Sequence, residues 1–173
     1  MRNIELKARR ADLGRAERVC RRLGARRAWT RRQVDTYFDV PKGRLKLRVE
    51  SPGGATLISY HRADTEQPRE SVYSLTHIDA PEDALTSLTD RHGVRARVCK
   101  TRTLYLLGNV RIHLDDVDNL GTFIEFEAVL APEDSDADVD RRLARLMSAF
   151  AIAKADLVGG SYADLREGLP HTP

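Results

Sequence analysis

Asn3-Ile4-Glu5-Leu6-Lys7-Ala8-Arg9 alternates without a break between polar and apolar side chains. In an extended strand successive side chains point to opposite faces. Asn3, Glu5, Lys7 and Arg9 therefore share one face, and Ile4, Leu6 and Ala8 share the other. The same kind of face returns at Phe123-Ile124-Glu125-Phe126-Glu127, where both carboxylates lie opposite Ile124 and Phe126. Arg44-Leu45-Lys46-Leu47-Arg48-Val49-Glu50 alternates as strictly, with bases on its polar side. Carboxylates and bases gathered on one sheet face suit a site that holds a metal cation and a polyanion together.

Outward from these stretches, further strands are expected through Val34–Phe38, 56–63 and 69–78. A long strand pattern follows Gly93 through Tyr105, and the last strands are expected at 110–116 and 122–131. Pro41-Lys42-Gly43, Ser51-Pro52-Gly53-Gly54 and Gly108-Asn109 are turn signals between them. Asp12 is placed to cap a helix over 12–23, with Leu13, Ala16, Val19, Cys20 and Leu23 as its apolar stripe. A second helix starts at Pro81 and runs to about 91, turning Ala84, Leu85 and Leu88 inward. A third covers 135–150 with Val139, Leu143, Leu146, Met147 and Phe150, and a short one opens at 161–165. Strands joined by tight turns give a mostly antiparallel sheet, and eight of them are enough to close a barrel.

At 173 residues the chain fits one domain, expected over 1–167, with 168–173 as a flexible tail. A hydrophobic share of 41% and a charged share of 32% predict a soluble globular protein. No apolar run approaches the roughly 18 residues of a membrane span, and the strand pattern at Asn3 leaves no room for a signal peptide. Cys20 and Cys99 form no CxxC, which points to a reducing, cytoplasmic setting. Residues 1–50 carry sixteen Lys and Arg against six Asp and Glu, whereas residues 115–140 carry ten Asp and Glu and no Lys or Arg. The acidic run Asp134–Asp140 reads as a solvated helix start.

Glu5, Lys7, Arg9, Lys46, Arg48, Arg111, His113, Asp115, Glu125 and Glu127 all alternate with apolar neighbours, and Arg62, Arg69, Lys100 and Arg102 join them. Two readings stay open on the residues alone. The charged face is wetted by solvent over an ordinary core, or the sheet closes and the charges share a lumen. A lumen of facing charges needs partners, because unpaired buried charge is costly. A polyphosphate with a divalent cation satisfies both signs: Arg and Lys neutralise phosphate oxygens, and carboxylates hold Mg²⁺ or Mn²⁺.

The same residues resemble the CYTH superfamily, the triphosphate tunnel metalloenzymes that include class IV adenylate cyclases and thiamine triphosphatases. The family's Glu-x-Glu-x-Lys signature reads Asn3-Ile4-Glu5-Leu6-Lys7 here. Gln33-Val34-Asp35-Thr36-Tyr37-Phe38 with Gly43-Arg44-Leu45-Lys46-Leu47-Arg48 is similar to its second block, and Lys100-Thr101-Arg102 to its basic strand. Arg111-Ile112-His113-Leu114-Asp115-Asp116-Val117, Leu120-Gly121 and Phe123–Glu127 are similar to its C-terminal block. The resemblance implies an α+β fold: an eight-stranded antiparallel β-barrel, or tunnel, with helices packed on its outside. It implies Glu5, Glu125 and Glu127 as metal ligands, helped by Asp115, for Mg²⁺ or Mn²⁺. It implies Lys46, Arg48, Arg62, Lys100, Arg102 and Arg111 as the phosphate path, and Lys7, Glu5 and Glu127 as catalytic residues, with Lys7 positioning the attacking group. The departure is Asn3, which offers an oxygen but no charge where the signature has its first Glu.

The expected activity is metal-dependent hydrolysis of a triphosphate-bearing small molecule: inorganic tripolyphosphate, a nucleoside triphosphate or thiamine triphosphate. The alternatives are a cyclase that makes cyclic AMP and diphosphate from ATP, and a non-catalytic polyphosphate or nucleotide binder. Hydrolysis leads because it requires only that the phosphates be held. His113 reads as a wall residue before a ligand, His61 as surface, and Tyr60 as either a base-stacking or a packing residue. Trp29 stands beside arginines, but aromatics are only 6% of the chain, so nucleic acid is not an expected partner. Monomer and homodimer are both compatible with the sequence, and no membrane partner is expected.

Overall fold

The computed structural model describes residues 2–10, 12–62, 69–130 and 135–167, apart from the side chains of Arg2, Arg62, Arg69, Glu70 and Asp136. The expected tail at 168–173 lies outside the described residues. Eight strands, β1 (Arg2–Arg9), β2 (Arg26–Phe38), β3 (Arg44–Ser51), β4 (Ala55–Arg62), β5 (Arg69–Ile78), β6 (Val94–Leu107), β7 (Val110–Val117) and β8 (Gly121–Val129), close into a barrel in the order β1-β5-β4-β3-β2-β6-β7-β8. Every neighbouring pair is antiparallel. The chain builds two meanders, β2 to β5 and β6 to β8. Pairing of β2 with β6 joins them on one side, and β1 joins them on the other by lying between β5 and β8. A closed sheet leaves no strand edge unpaired.

Four helices accompany the barrel: α1 (Leu13–Arg22), α2 (Pro81–His92), α3 (Asp136–Ala149) and α4 (Tyr162–Glu167). Asp12 caps α1 by accepting the Arg15 N–H at 2.8 Å, and Ser135 caps α3 by accepting that of Asp138 at 3.2 Å. The outward apolar residues of β1, β7 and β8 (Ile4, Leu6, Ala8, Ile112, Leu114, Ile124, Phe126 and Ala128) pack against α1 and α3. From α1 come Ala16, Val19 and Cys20, and from α3 come Val139, Leu143, Leu146 and Phe150. The Phe126 and Phe150 rings meet edge to face at 5.2 Å. Leu23, the last member of the expected stripe, is the cap residue of α1 and stays 39% exposed. Ala84, Leu85 and Leu88 of α2 cover a smaller cluster of Phe38, Leu47 and Ala55. The principal core therefore lies outside the barrel wall, between strands and helices.

The strand expected to begin at Val34 begins at Arg26. Arg26 to Gln33 carries no apolar alternation, so its pattern gives no strand signal. It is held by β6, which pairs with it from Arg26↔Leu106 to Phe38↔Val94, with a register shift between Arg27 and Trp29. At the β3 entrance Gly43 has φ +70°, and a Cβ there would meet the His61 ring at 2.6 Å, so this turn requires glycine. Cys20 is buried, Cys99 is half-buried, and neither is in a disulfide. Among the described residues no helix is long and apolar enough to cross a membrane.

Candidate functional site

The inward faces of the strands enclose a polar cavity of about 400 Å³. Strand register assembles its wall. Across β1 and β8, Glu5 faces Glu127 and Lys7 faces Glu125. Across β8 and β7, Glu127 faces Arg111 and Glu125 faces His113. Asp115 faces Arg102, Asp35 faces Arg48, and Gln33 faces Lys100. Directly opposed residues stand only about 4.5–5.5 Å apart at Cβ, and these registers bring Lys7 to Glu125, Arg111 to Glu127, Arg102 to Asp115 and Arg48 to Asp35 as ion pairs.

One wall is dominated by cations. Asp35 is fully buried and accepts from Arg48 Nε at 2.7 Å, Arg48 Nη2 at 2.8 Å, Lys100 Nζ at 2.6 Å and Lys46 Nζ at 3.1 Å. Burial pushes the Asp35 carboxyl up, but the charges of Arg48, Lys100 and Lys46 overcome this and hold it well below the usual range. Burial pushes the Lys100 ammonium down to about 8 against the opposing pull of Asp35, with Arg48 and Arg102 adding to the fall. Lys46 is lowered well below the ordinary lysine value for the same reason, burial first and then Arg48 and Lys100. Three basic side chains thus share one carboxylate, and burial opposes the charge of both lysines.

The facing wall is dominated by carboxylates. Glu125 accepts from Arg102 Nη2 at 2.8 Å, lies 3.2 Å from His113 Nδ1, and stands 3.7 Å from Lys7 Nζ. Burial raises its carboxyl, yet Lys7, the His113 hydrogen bond and Arg102 hold it well below the ordinary value. Glu127 accepts from Arg111 Nη1 at 3.3 Å and from the Asn3 amide. Glu5 lines the same cavity. At one end Tyr37, Val98, Val117 and Phe123 meet Tyr162 and Ala163 of α4 in an apolar cluster. The Tyr162 hydroxyl donates to Asp115 Oδ2 at 2.6 Å, and Lys7 Nζ lies 4.2 Å from the centre of its ring. Helix α4 is tied down by Asp164, which accepts from Arg44 and Arg95 at 2.9 Å each.

The structure brings Glu5, Lys7, Lys46, Arg48, Lys100, Arg102, Arg111, Glu125 and Glu127 to one lining. The Arg62 side chain lies outside the described residues. Asp115 sits beneath the lining with both oxygens engaged, by Arg102 Nε at 2.6 Å, Arg102 Nη2 at 2.5 Å and the Tyr162 hydroxyl. Arg9 lies beyond the lining: it is exposed at the end of β1, over the Phe123 ring at 5.0 Å, and donates to the Leu120 carbonyl at 3.1 Å. Asp35 and Tyr162 are the important wall residues that sequence reasoning gave no role. Asp35 shares parity with Gln33 and Tyr37, which was the available signal. Tyr162 stands in a helix far along the chain, and no strand pattern points to it.

The donor set suits a hard divalent cation. Glu5, Glu125 and Glu127 offer carboxylate oxygens, and the buried Asn3 Oδ1 has no hydrogen-bond partner among the described residues. These groups are not gathered round one point: no three His, Cys, Asp or Glu among the described residues are so arranged.

Comparison with known proteins agrees with this architecture. The CYTH domain model matches residues 1–162. A Methanocaldococcus jannaschii protein, provisionally named an adenylate cyclase, is 20% identical over 170 residues, which cover 94% of this chain and 97% of that protein. The PH1012 protein of Pyrococcus horikoshii has the same fold, with a TM-score of 0.84 and 23% identity over 94% of this chain and 98% of that one. A Hippeastrum protein, provisionally named an adenylyl cyclase and described as having a dominant triphosphatase activity, superposes with a TM-score of 0.67 and 16% identity over 96% of this chain and 95% of its own. With nearly its whole length matched, and a closed polar barrel to go with the match, the chain belongs to the CYTH domain family.

Proposed function

We propose that the protein is a divalent-cation-dependent phosphohydrolase acting on a small molecule that bears a triphosphate. The observation that carries this reading is the cluster of Lys46, Arg48 and Lys100 around the single carboxylate of Asp35, facing a wall of glutamates across an enclosed lumen. A wall with surplus buried cations calls for an anion, and phosphate oxygens accept from both Lys and Arg.

In this reading the phosphate chain lies along Lys46, Arg48, Lys100 and Arg102, with Arg111 at its flank. Glu5, Glu125 and Glu127, with the Asn3 carbonyl, would hold Mg²⁺ or Mn²⁺, and the cation would supply positive charge to offset that of the phosphoryl oxygens. Asp115 holds the Arg102 guanidinium in place rather than serving as a ligand, because its oxygens are already taken. Lys7 orients the attacking water. Its ammonium stands between Glu125 at 3.7 Å and the Gly160 carbonyl at 3.4 Å, at the junction of the two walls. Water attacks the terminal phosphorus, the P–O bond to the bridging oxygen breaks, the diphosphate product departs with that oxygen, the proton lost by the water passes to solvent, and orthophosphate is released.

The test is a panel of ATP, tripolyphosphate and thiamine triphosphate with Mg²⁺ or Mn²⁺, read by phosphorus NMR. Orthophosphate release supports hydrolysis. Diphosphate with cyclic AMP from ATP identifies a cyclase instead. Tight binding without turnover under either cation leaves only a binding protein.

A further inference from the structure

Trp29, half-buried, lines the same cavity as the charged residues, and its place in the barrel is unlike theirs. It pairs across the sheet with Leu104, which also faces inward. Ile58 and Leu75, which oppose each other across β4 and β5, also line the cavity, and Leu75 remains 47% exposed. The Arg31 guanidinium lies over the Trp29 ring at 4.7 Å and donates to Glu50 at 3.0 Å. The register sets the depth. One inward step from Trp29 along β2 is Arg31, opposite Arg102. The next is Gln33, opposite Lys100, and the third is Asp35. Each step of two residues advances about 7 Å along the strand. The lumen thus changes character along its length, from an aromatic and aliphatic level to a level of surplus cations.

A ligand that satisfies both levels has a planar apolar head and a polyanionic tail. We infer that Trp29, with Arg31 and Leu104, forms a subsite for the aromatic base of a nucleoside triphosphate, whose phosphates extend towards Lys100 and Arg102. A bare polyphosphate fills the cationic level only and gains nothing from Trp29. A base gains stacking on the indole and on the guanidinium plane. This inference rests on the triphosphate reading above and narrows its substrate to nucleotides.

Trp29 is the one tryptophan in the chain, so its emission reports on this level alone. Wild-type emission is followed by stopped-flow mixing with Mg²⁺ and either ATP or tripolyphosphate, and because the variants hold no tryptophan, affinities in wild type, Trp29→Ala and Trp29→Phe are compared by rapid filtration of the labelled ligands, so that binding is read before turnover. ATP should quench Trp29 emission more strongly than tripolyphosphate does. Trp29→Ala should weaken ATP about ten-fold or more while leaving tripolyphosphate within about two-fold, and Trp29→Phe should recover most of the loss. Equal loss for both ligands in Trp29→Ala, or no loss for ATP, overturns the base subsite. If tripolyphosphate binds as expected in those cases, the triphosphate reading survives. If neither ligand binds wild type, both fall.

Discussion

Asp35 does for the protein what an anionic ligand does for the complex: it keeps three buried cations from facing one another unscreened. Removing one member of a buried charged group costs about 3–5 kcal/mol, because its partners are left uncompensated. Asp35→Asn should therefore lower stability by about that much, seen as a lower melting temperature. Tripolyphosphate should restore more of the loss in this variant than it adds to wild type. A variant that melts like wild type would remove Asp35 from its central place. Lys100 makes a second prediction. Its folded value of about 8 lies below that of an unfolded lysine. Between those two values the unfolded chain binds more protons, so the Lys100 contribution to stability rises with pH there. Binding runs the other way. Above about pH 8 the free protein loses the Lys100 charge, and a polyanion must draw the proton back. Tripolyphosphate affinity should fall above that pH, and calorimetry in buffers of different ionisation enthalpy should show proton uptake that Lys100→Met abolishes. The charged residues themselves were legible from alternation, because a period of two cannot hide which side chains share a face. Their partners were not. That Asp35 gathers Lys46, Arg48 and Lys100 depends on β2 lying between β3 and β6, and pairing order is not written in any one strand.

Among the elements, strands with one apolar face were readable nearly to their ends, and so were the amphipathic helices. The N-terminal half of β2 was not, since Arg26, Arg27, Arg31 and Arg32 give no periodic signal and only pairing with β6 makes them extended. That missed half carries Trp29, so the apolar level of the lumen was hidden with it. Helix α3 is held chiefly by burial, with Arg142 donating to Asn109 Oδ1 of the β6–β7 turn: Leu143 is 1% exposed among Phe126, Phe150 and their neighbours. Leu143→Ala should cost about 2–5 kcal/mol in chemical unfolding. Helix α4 is held differently. Asp164 accepts from Arg44, from Arg95 and from the Ser161 N–H at 2.6 Å. Asp164→Ala should release α4 locally, raising amide exchange over 161–167 with little change in the exchange of β7 and β8. Because Tyr162 leaves with the helix, turnover should fall as Lys7 and Asp115 lose their neighbour.

At the scale of the molecule, the basic stretch at 1–50 and the acidic stretch at 115–140 meet where β1 lies against β8. Lys7 approaches Glu125 there at 3.7 Å, and Arg32 pairs with Asp118 elsewhere between the same two stretches. The closed sheet puts apolar residues on its outside and charge within, so the lumen depends on what fills it. Glu127→Ala should reduce turnover about 100-fold or more while tripolyphosphate still binds, because the phosphate-facing cations belong mainly to other strands. Equal loss of binding and turnover would place Glu127 in the anion site instead.

Closing the ring with β1 ties folding to activity. The strand bearing Glu5 and Lys7 is synthesised first, yet one of its two neighbours, β8, emerges more than a hundred residues later. Contacts so distant in sequence form slowly. Until they form, the lumen lacks one stave, and a nascent chain released before Gly121 has neither a sealed cylinder nor the glutamates of β8.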